Sequence, residues 1–352
     1  MNKKAKKIFV GISGGVDSSV VAYLLKKQGY DVHGIFVKTW APDWLPCTWV
    51  DEKRDAMRVC ASLDIPFHFL DAEEEYKKGV ADYMVAEYRA GRTPNPDVLC
   101  NRVIKFGAMW QYAREHGADA VATGHYAQTD GKHLMKGFDD SKDQSYFLWM
   151  ISKDELQHIM LPIGHLEKPE VRKIAEKAKL FTSDKKDSQG ICFLGDVDMR
   201  EFLAHYIEQK SGPVINTEGE IVGEHQGVWF YTLGERHGFK IIQQSTDQKP
   251  YYIVAKDIKK NTLIVSHNPK TNLNKKEKQI ITLRDTNWFF DLKELEGDIT
   301  AQIRYHGEFI PAKVVSAETI ELSYSGTIAE GQSLVLYHGD KVVGGGVIEK
   351  IS

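Results

Sequence analysis

The stretch that most limits what this chain can become is Ile8-Phe-Val-Gly-Ile-Ser-Gly-Gly-Val-Asp-Ser-Ser19, followed directly by Val20-Val-Ala-Tyr-Leu-Leu-Lys-Lys-Gln-Gly29. Ile8 to Ile12 is a short apolar run, Ser13 to Asp17 a glycine-broken turn, and the segment after it repeats apolar residues at helical spacing. The pattern predicts strand, tight loop, helix. Gly11, Gly14 and Gly15 let the backbone approach a ligand, and Ser13, Ser18 and Ser19 add hydroxyls. The helix start adds unpaired N–H groups at the positive end of its dipole. Such a loop suits a phosphate-sized anion.

The loop lacks the Gly-Lys-Ser/Thr ending of the Walker nucleotide loop, and Gly11-x-x-Gly14-Gly15 departs from the dinucleotide fingerprint. Ser13-Gly-Gly-Val-Asp-Ser18 instead resembles the pyrophosphate loop of enzymes that split ATP into AMP and pyrophosphate. The plain alternative is a bare strand-to-helix turn, and the serines with Asp17 speak against it.

Further along, Tyr30 to Lys38 and Ile65 to Leu70 read as strands, Asp51 to Leu63 and Glu73 to Arg89 as helices. Lys105 to His116 reads as another helix, and Asp119 to Thr123 as a fourth strand ending at Gly124-His125. Alternating strands and helices imply a parallel sheet covered on both faces, with ligands outside the carboxyl ends of the strands, where Ser13, Val37 and Gly124 fall. From Glu167 to Leu180 runs a basic helix with Lys168, Arg172, Lys173, Lys177 and Lys179, then Lys185 and Lys186, which reads as a solvated face.

Near Ile207 the texture changes. Pro213 to Val222 is a hairpin pattern around Glu218-Gly219, and Tyr251 to Ile258 pairs with Thr262 to Ser266 across Lys259 to Asn261. Asn268 to Lys278 reads as a linker, and the short alternating segments beyond it suggest a small β-barrel. The expected divisions are 1–206, an ATP-binding catalytic domain; 207–275, a small central domain and linker; and 276–352, the barrel.

The formal charge of −3 means that any nucleic-acid binding must come from local basic patches. No stretch has the length of a membrane span and the lysine-rich start is no signal peptide, so a cytoplasmic location is expected. The four cysteines, Cys47, Cys60, Cys100 and Cys192, lie far apart without a C-x-x-C pair, which argues against a zinc site or a secreted disulfide scaffold. Cys60, on a helical apolar face, reads as core.

Asn95-Pro-Asp-Val-Leu-Cys-Asn101 sits just before the helix expected from Lys105, with Arg102 and Lys105 close by. A thiol near a helix start and cationic neighbours can be nucleophilic at neutral pH, and Asp97 is a candidate base. Cys192 lies in Ser188-Gln-Gly-Ile-Cys-Phe-Leu-Gly195, a glycine-bounded apolar bead in a polar stretch. Taken singly, either cysteine reads as buried filler.

Taken together, Ser13 to Ser18, Asn95 to Asn101, Ala122 to Ala127, Lys142-Asp-Gln-Ser-Tyr-Phe-Leu148, Ser188 to Gly195 and Tyr231-Thr-Leu-Gly-Glu-Arg-His237 follow the order found in bacterial tRNA-specific 2-thiouridylases. Gln302-Ile-Arg-Tyr305 and Glu330-Gly-Gln332 extend the resemblance to the terminal barrel. It implies an α/β fold with a parallel-sheet pyrophosphate-loop (adenine nucleotide α-hydrolase-like) domain, a β-rich middle domain and a C-terminal β-barrel. It also implies ATP with magnesium on Gly11, Ile12, Ser13, Gly14, Gly15, Val16, Asp17 and Ser18, with Val37 and Gly124 lining the adenosine, and no tightly bound prosthetic group or resident metal. Cys100 resembles the family's nucleophile and Cys192 the persulfide carrier loaded by a sulfur-relay protein, with a transient Cys100–Cys192 disulfide. Asn95, Pro96 and Asp97 would meet the target uridine, and His125, Lys142, Asp143, Gln144, Arg304, Tyr305 and Gln332 would touch tRNA.

The implied activity is ATP-dependent 2-thiolation of a tRNA uridine, expected at the anticodon wobble position. Two rivals remain at this stage. One is another AMP-forming ligase acting on a small metabolite, which has no use for two reactive cysteines. The other is a nucleotide-binding sensor without turnover, for which Cys100→Ser would be silent.

Overall fold

A computed structural model describes residues 5–45, 49–186, 198–242, 249–268, 271, 278–292, 295 and 297–352. The first sheet is built from Lys7–Gly11 (β1), Asp31–Lys38 (β2), Phe67–Asp71 (β3) and Ala120–Ala122 (β4). A hairpin of Ala127–Thr129 (β5) and Leu134–Lys136 (β6) then leaves the layer before Ile159–Met160 (β7) returns to it. The order is β3-β2-β1-β4-β7 and every pairing is parallel. Consecutive residues of β1 serve two cores. Ile8, Val10 and Ile12 pack with Val16–Lys27 (α1), Trp49–Ser62 (α2) and the helix Lys168–Lys177, whereas Phe9 packs on the other side with Met109 and Ala113. A strand buried on both faces must be apolar throughout, which is why Ile8 to Val10 shows no alternation.

One expectation needs correcting. The helix expected from Lys105 begins at Pro96, running as Pro96–Leu99 in α form, Cys100–Ala108 in the wider π form and Met109–Glu115 in α form. Proline at the first helical position has a pre-set φ and lacks an N–H that would be unpaired there anyway, so Pro96 starts the helix. Cys100 is therefore inside the helix, one turn from its start.

The middle domain is a five-stranded sheet holding both expected hairpins: Gly212–Ile215 against Ile221–His225, and Tyr252–Asp257 against Thr262–Ser266. Six strands from Gln279–Trp288 to Lys341–Ile351 close the terminal barrel by pairing first with last, Thr282 opposite Lys350. The expected fold class is thus borne out. The barrel does not stand apart. At the end of Lys341–Ile351 that the first barrel strand does not cover, β6 adds itself, with Met135 opposite Lys341 and Leu134 opposite Val342. Phe289, Val335, Tyr337, Val342 and Val347 share one core with Phe9 and Met109. The linker expected at Asn268 to Lys278 lies mostly outside the described residues.

Candidate active site

The loop between β1 and α1 is folded by its own hydroxyls. Ser13 Oγ accepts from the Gly15 N–H at 3.3 Å, and Ser19 Oγ donates to the Gly15 carbonyl at 2.7 Å. Ser18 Oγ accepts from the Ser13 N–H at 3.3 Å. Gly14 sits at φ +76°, a region costly for any side chain, and a Cβ there would come within 3.0 Å of the Asp55 Cβ. Ile12 and Val16 are buried in the core with α1, and Val37 in the core with Phe9. Gly124, at the end of β4, lies so close to α1 that an added Cβ would meet the Ser18 nitrogen at 3.1 Å.

Two lysines from the basic stretch reach this loop, contrary to the reading of that stretch as a solvated face. Lys168 Nζ lies 2.8 Å from both Asp17 carboxylate oxygens, and the Tyr126 hydroxyl donates to Oδ1 at 2.8 Å. Lys185 Nζ donates to the Gly14 carbonyl at 3.0 Å and to Asp55 at 2.8 Å, and that contact chiefly holds the Asp55 carboxyl below its usual range. The sequence did carry one signal for Lys168. It occupies the first position of its helix, where a cation opposes the dipole unless a carboxylate draws it.

Next to Gly124 stands His125. His125 is buried, its Nδ1 2.7 Å from the Thr123 hydroxyl and its Nε2 3.2 Å from Lys105 Nζ. Burial, helped by the Lys105 charge, holds the imidazole well below its usual range, so it is neutral. Lys105 stands five residues beyond Cys100 on the same helix. Cys100 itself is 1% exposed, packed in the core that Phe9, Tyr146 and Val335 also share. Cys60 is buried core, as expected, and its thiol is pushed up to about 11 by burial.

The approach to the helix, Gly91 to Asn95, is gripped by all three domains. Lys256 of the middle domain donates to the carbonyls of Gly91 and Tyr231 at 2.7 and 2.8 Å, and the Thr93 hydroxyl bonds that of Thr232 at 3.2 Å. Burial lowers Lys256 to about 8. From the barrel, Gln332 Nε2 donates to the Thr93 carbonyl at 2.9 Å, and Asn95 bonds both the Gln332 side chain and the Ser333 N–H. Glu87 accepts both arms of Arg92 at 2.6 and 2.7 Å, and Arg284 of the barrel at 2.8 Å. Burial opposes its charge, but the two guanidiniums outweigh that and keep its carboxyl below the usual range.

The other residues singled out from the sequence fall as follows. Asp97 is half-buried in the first helical turn, and its charge adds to burial and to Asp143 in pushing the Tyr305 hydroxyl up to about 12. Asp143 caps the N–H groups of Gly137 and Ser145, and its carboxyl is raised by burial. Gln144 exchanges two bonds with the Tyr126 backbone. Lys142 is half-buried, Arg304 is exposed, and the Tyr305 ring leans on Phe147 at 4.3 Å. Cys47 and Cys192 lie outside the described residues. Among the described residues no cluster of three or more histidine, cysteine, aspartate or glutamate side chains could hold a metal ion, and no helix is long and apolar enough to cross a membrane.

Residues 6–196 match the family described as the tRNA methyl transferase HUP domain, 200–267 the tRNA methyl transferase PRC-barrel domain and 278–348 the aminomethyltransferase beta-barrel domain. The tRNA-specific 2-thiouridylase MnmA of Streptococcus thermophilus is 43% identical over 360 residues, covering 98% of this chain and 95% of that protein. The chain belongs to the tRNA-specific 2-thiouridylase family. Another 2-thiouridylase, from Idiomarina loihiensis, is 42% identical across 99% of this chain and 98% of its own length. Among solved structures, a 4-thiouridine synthetase in complex with RNA and ATP covers 57% of this chain and 50% of its own at 20% identity and a TM-score of 0.35, too slight a likeness to bear on the site. The loop thus touches Gly124, and His125 beside it touches Lys105 on the helix whose interior holds Cys100.

Proposed function

We propose that the chain is a tRNA-uridine 2-sulfurtransferase that forms AMP and pyrophosphate. Residues Gly11 to Ser18 hold the phosphates of ATP and its magnesium, and Val37 and Gly124 flank the adenosine. The observation that supports this reading is the run of contacts from the anion loop to Gly124, and from the adjacent His125 to Lys105 on the helix that carries Cys100.

A carbonyl oxygen on uracil is a poor leaving group. In the proposed reaction C2–O attacks the α-phosphorus of ATP, the bond to the β-phosphate breaks, and pyrophosphate leaves from a loop rich in N–H donors. Cys192 carries a persulfide received from a sulfur-relay protein. The Cys100 thiolate attacks its inner sulfur, forming a Cys100–Cys192 disulfide and releasing the outer sulfur as hydrosulfide. That sulfur adds to C2, AMP departs with the former carbonyl oxygen, and an external thiol reduces the disulfide. Asp97, at the helix start, accepts a proton. Asn95, Pro96 and Asp97 face the target base, and His125, Lys142, Asp143, Gln144, Arg304, Tyr305 and Gln332 support the tRNA.

The target uridine sits in the anticodon loop, where unstacking a base costs least. Because Cys100 is buried in the chain alone, tRNA binding must uncover it. The proposed domain division is 1–206, 207–275 and 276–352, and the proposed site of action is the cytoplasm. Incubation with ATP, a persulfide donor and unmodified tRNA should yield AMP, pyrophosphate and a 2-thiolated nucleoside. Cys100→Ser and Cys192→Ser should each abolish thiolation while ATP still binds. Thiolation by both variants would overturn the mechanism.

A further inference from the structure

The basic stretch from Lys168 to Lys186 lends the anion loop two ammonium groups that its sequence motif lacks. Lys168 is drawn inward against its helix dipole, its side chain 10% exposed, onto Asp17, the second residue of α1. The Tyr126 ring lies 5.6 Å beneath the ammonium and the Tyr126 hydroxyl shares the same carboxylate. Lys185 approaches from the other side, on the Gly14 carbonyl and on Asp55 of α2. Two carboxylates thus balance two ammoniums around a loop whose N–H groups already suit an anion.

A polyphosphate arriving there brings several negative charges, and these two cations already stand on the loop that would meet them. Lysine suits that exchange. It is a point charge on a flexible stem, able to swing from a carboxylate to a phosphate oxygen, where an arginine would be locked in a planar two-point pair. If the two pairs were purely structural they would bring little stability, because desolvation offsets the attraction at the more buried Lys168 and solvent screens the more exposed Lys185.

We propose that Lys168 and Lys185 are the phosphate-binding cations of the loop, parked on Asp17 and Asp55 in the nucleotide-free chain and turned onto the β- and γ-phosphates when ATP binds. This rests on the reading that the chain uses ATP. Both residues then lie on the pyrophosphate that departs, so their effect grows with the number of phosphates beyond the first. AMP, which lacks those phosphates, should not sense them.

The test is calorimetric titration of ATP, inorganic pyrophosphate and AMP, with magnesium, into the full chain and into Lys168→Met, Lys168→Arg and Lys185→Met, each checked by thermal unfolding. Each methionine variant should bind ATP and pyrophosphate about tenfold or more weakly, the loss of one charge-assisted contact. AMP affinity should be unchanged, and Lys168→Arg, held in a two-point pair on Asp17, should recover only a small part of the pyrophosphate affinity. Equal weakening of AMP and pyrophosphate, or pyrophosphate affinity like that of the unaltered chain, would overturn the proposal and leave the lysines as braces of the loop. Should Lys168→Met fail to fold, Lys185→Met decides, since that side chain is 39% exposed. An unaltered chain that binds neither ATP nor pyrophosphate removes the ATP reading, and this inference with it.

Discussion

The anion loop and the Gly91–Asn95 approach to Cys100 are built in opposite ways. The loop is held by hydroxyls and N–H groups within seven residues of one another, Ser13 to Ser19. The approach has local bonds only at Gly91 and Arg92, to Tyr88 and Glu87. Its remaining partners are Lys256 and Thr232 of the middle domain and Gln332 and Ser333 of the barrel, while Arg284 of the barrel grips Glu87. A local device can be formed by one domain, whereas a device with remote partners exists only when every domain is docked. The placing of the segment that leads to Cys100 is thereby tied to the docking of the middle domain and barrel, and the shape of the loop is not.

The hardest blow to the remote device is Glu87→Gln. It leaves Arg92 and Arg284 around a neutral amide at a side chain 7% exposed, and should cost about 3–5 kcal/mol in denaturant unfolding. ATP affinity of the folded fraction should stay unchanged, and a loss there would erase the contrast between the two regions.

Next in size comes a matched pair of glycines. Gly331 has φ +89° and a Cβ there would meet the Thr93 nitrogen at 2.9 Å. Gly331→Ala should cost about 1–3 kcal/mol and lower the thiolation rate without weakening ATP, whereas Gly14→Ala should weaken ATP first. Steady-state kinetics paired with nucleotide titration separates the two.

A smaller effect is expected from pH, at His125. Burial and Lys105 hold His125 well below 6.5, so on acidification through 6.5 the unfolded chain takes up a proton that the folded chain refuses. Stability is full above that pH and falls below it, by up to ~1.4 kcal/mol one pH unit lower. His33 and His68, lowered chiefly by burial, act in the same sense. Melting temperatures at pH 7.5 and 5.5 for the chain and for His125→Gln measure the share of His125. A slope that the substitution leaves untouched would mean another group carries it.

The smallest is a double-mutant cycle of Asn95→Ala and Gln332→Ala. Their side chains meet at 3.2 Å, so the coupling should be about 1 kcal/mol in unfolding, and zero coupling would mean that the barrel does not set the approach.

What could be read from the sequence follows the same divide. The strand, loop and first helix were legible because Ile8 to Gly29 carries its periods and glycines in one run. The barrel was legible as short alternating segments, and Cys60 as core. Its strand partner from the first domain was not, because Leu134 to Lys136 is too short to show a period. Lys168 and Lys185 were read as solvated charges because their carboxylates stand more than a hundred residues away. The helix start was misplaced because Pro94 and Pro96 look like loop residues, whereas Pro96 is the first residue of the helix. Asn95 and Gln332 carry no sign in the sequence that they bond each other.

The joint between β6 and the last barrel strand bears on how the protein can be taken apart. Cutting the chain between residues 268 and 278 would not free two finished pieces. The front piece would keep Leu134–Lys136 with an open hydrogen-bonding edge, and the rear piece would carry Phe289, Val335 and Val342 with their oily sides bare. Fragments so made should clump or re-associate, and swapping barrels between relatives calls for moving the 127–136 hairpin along with them.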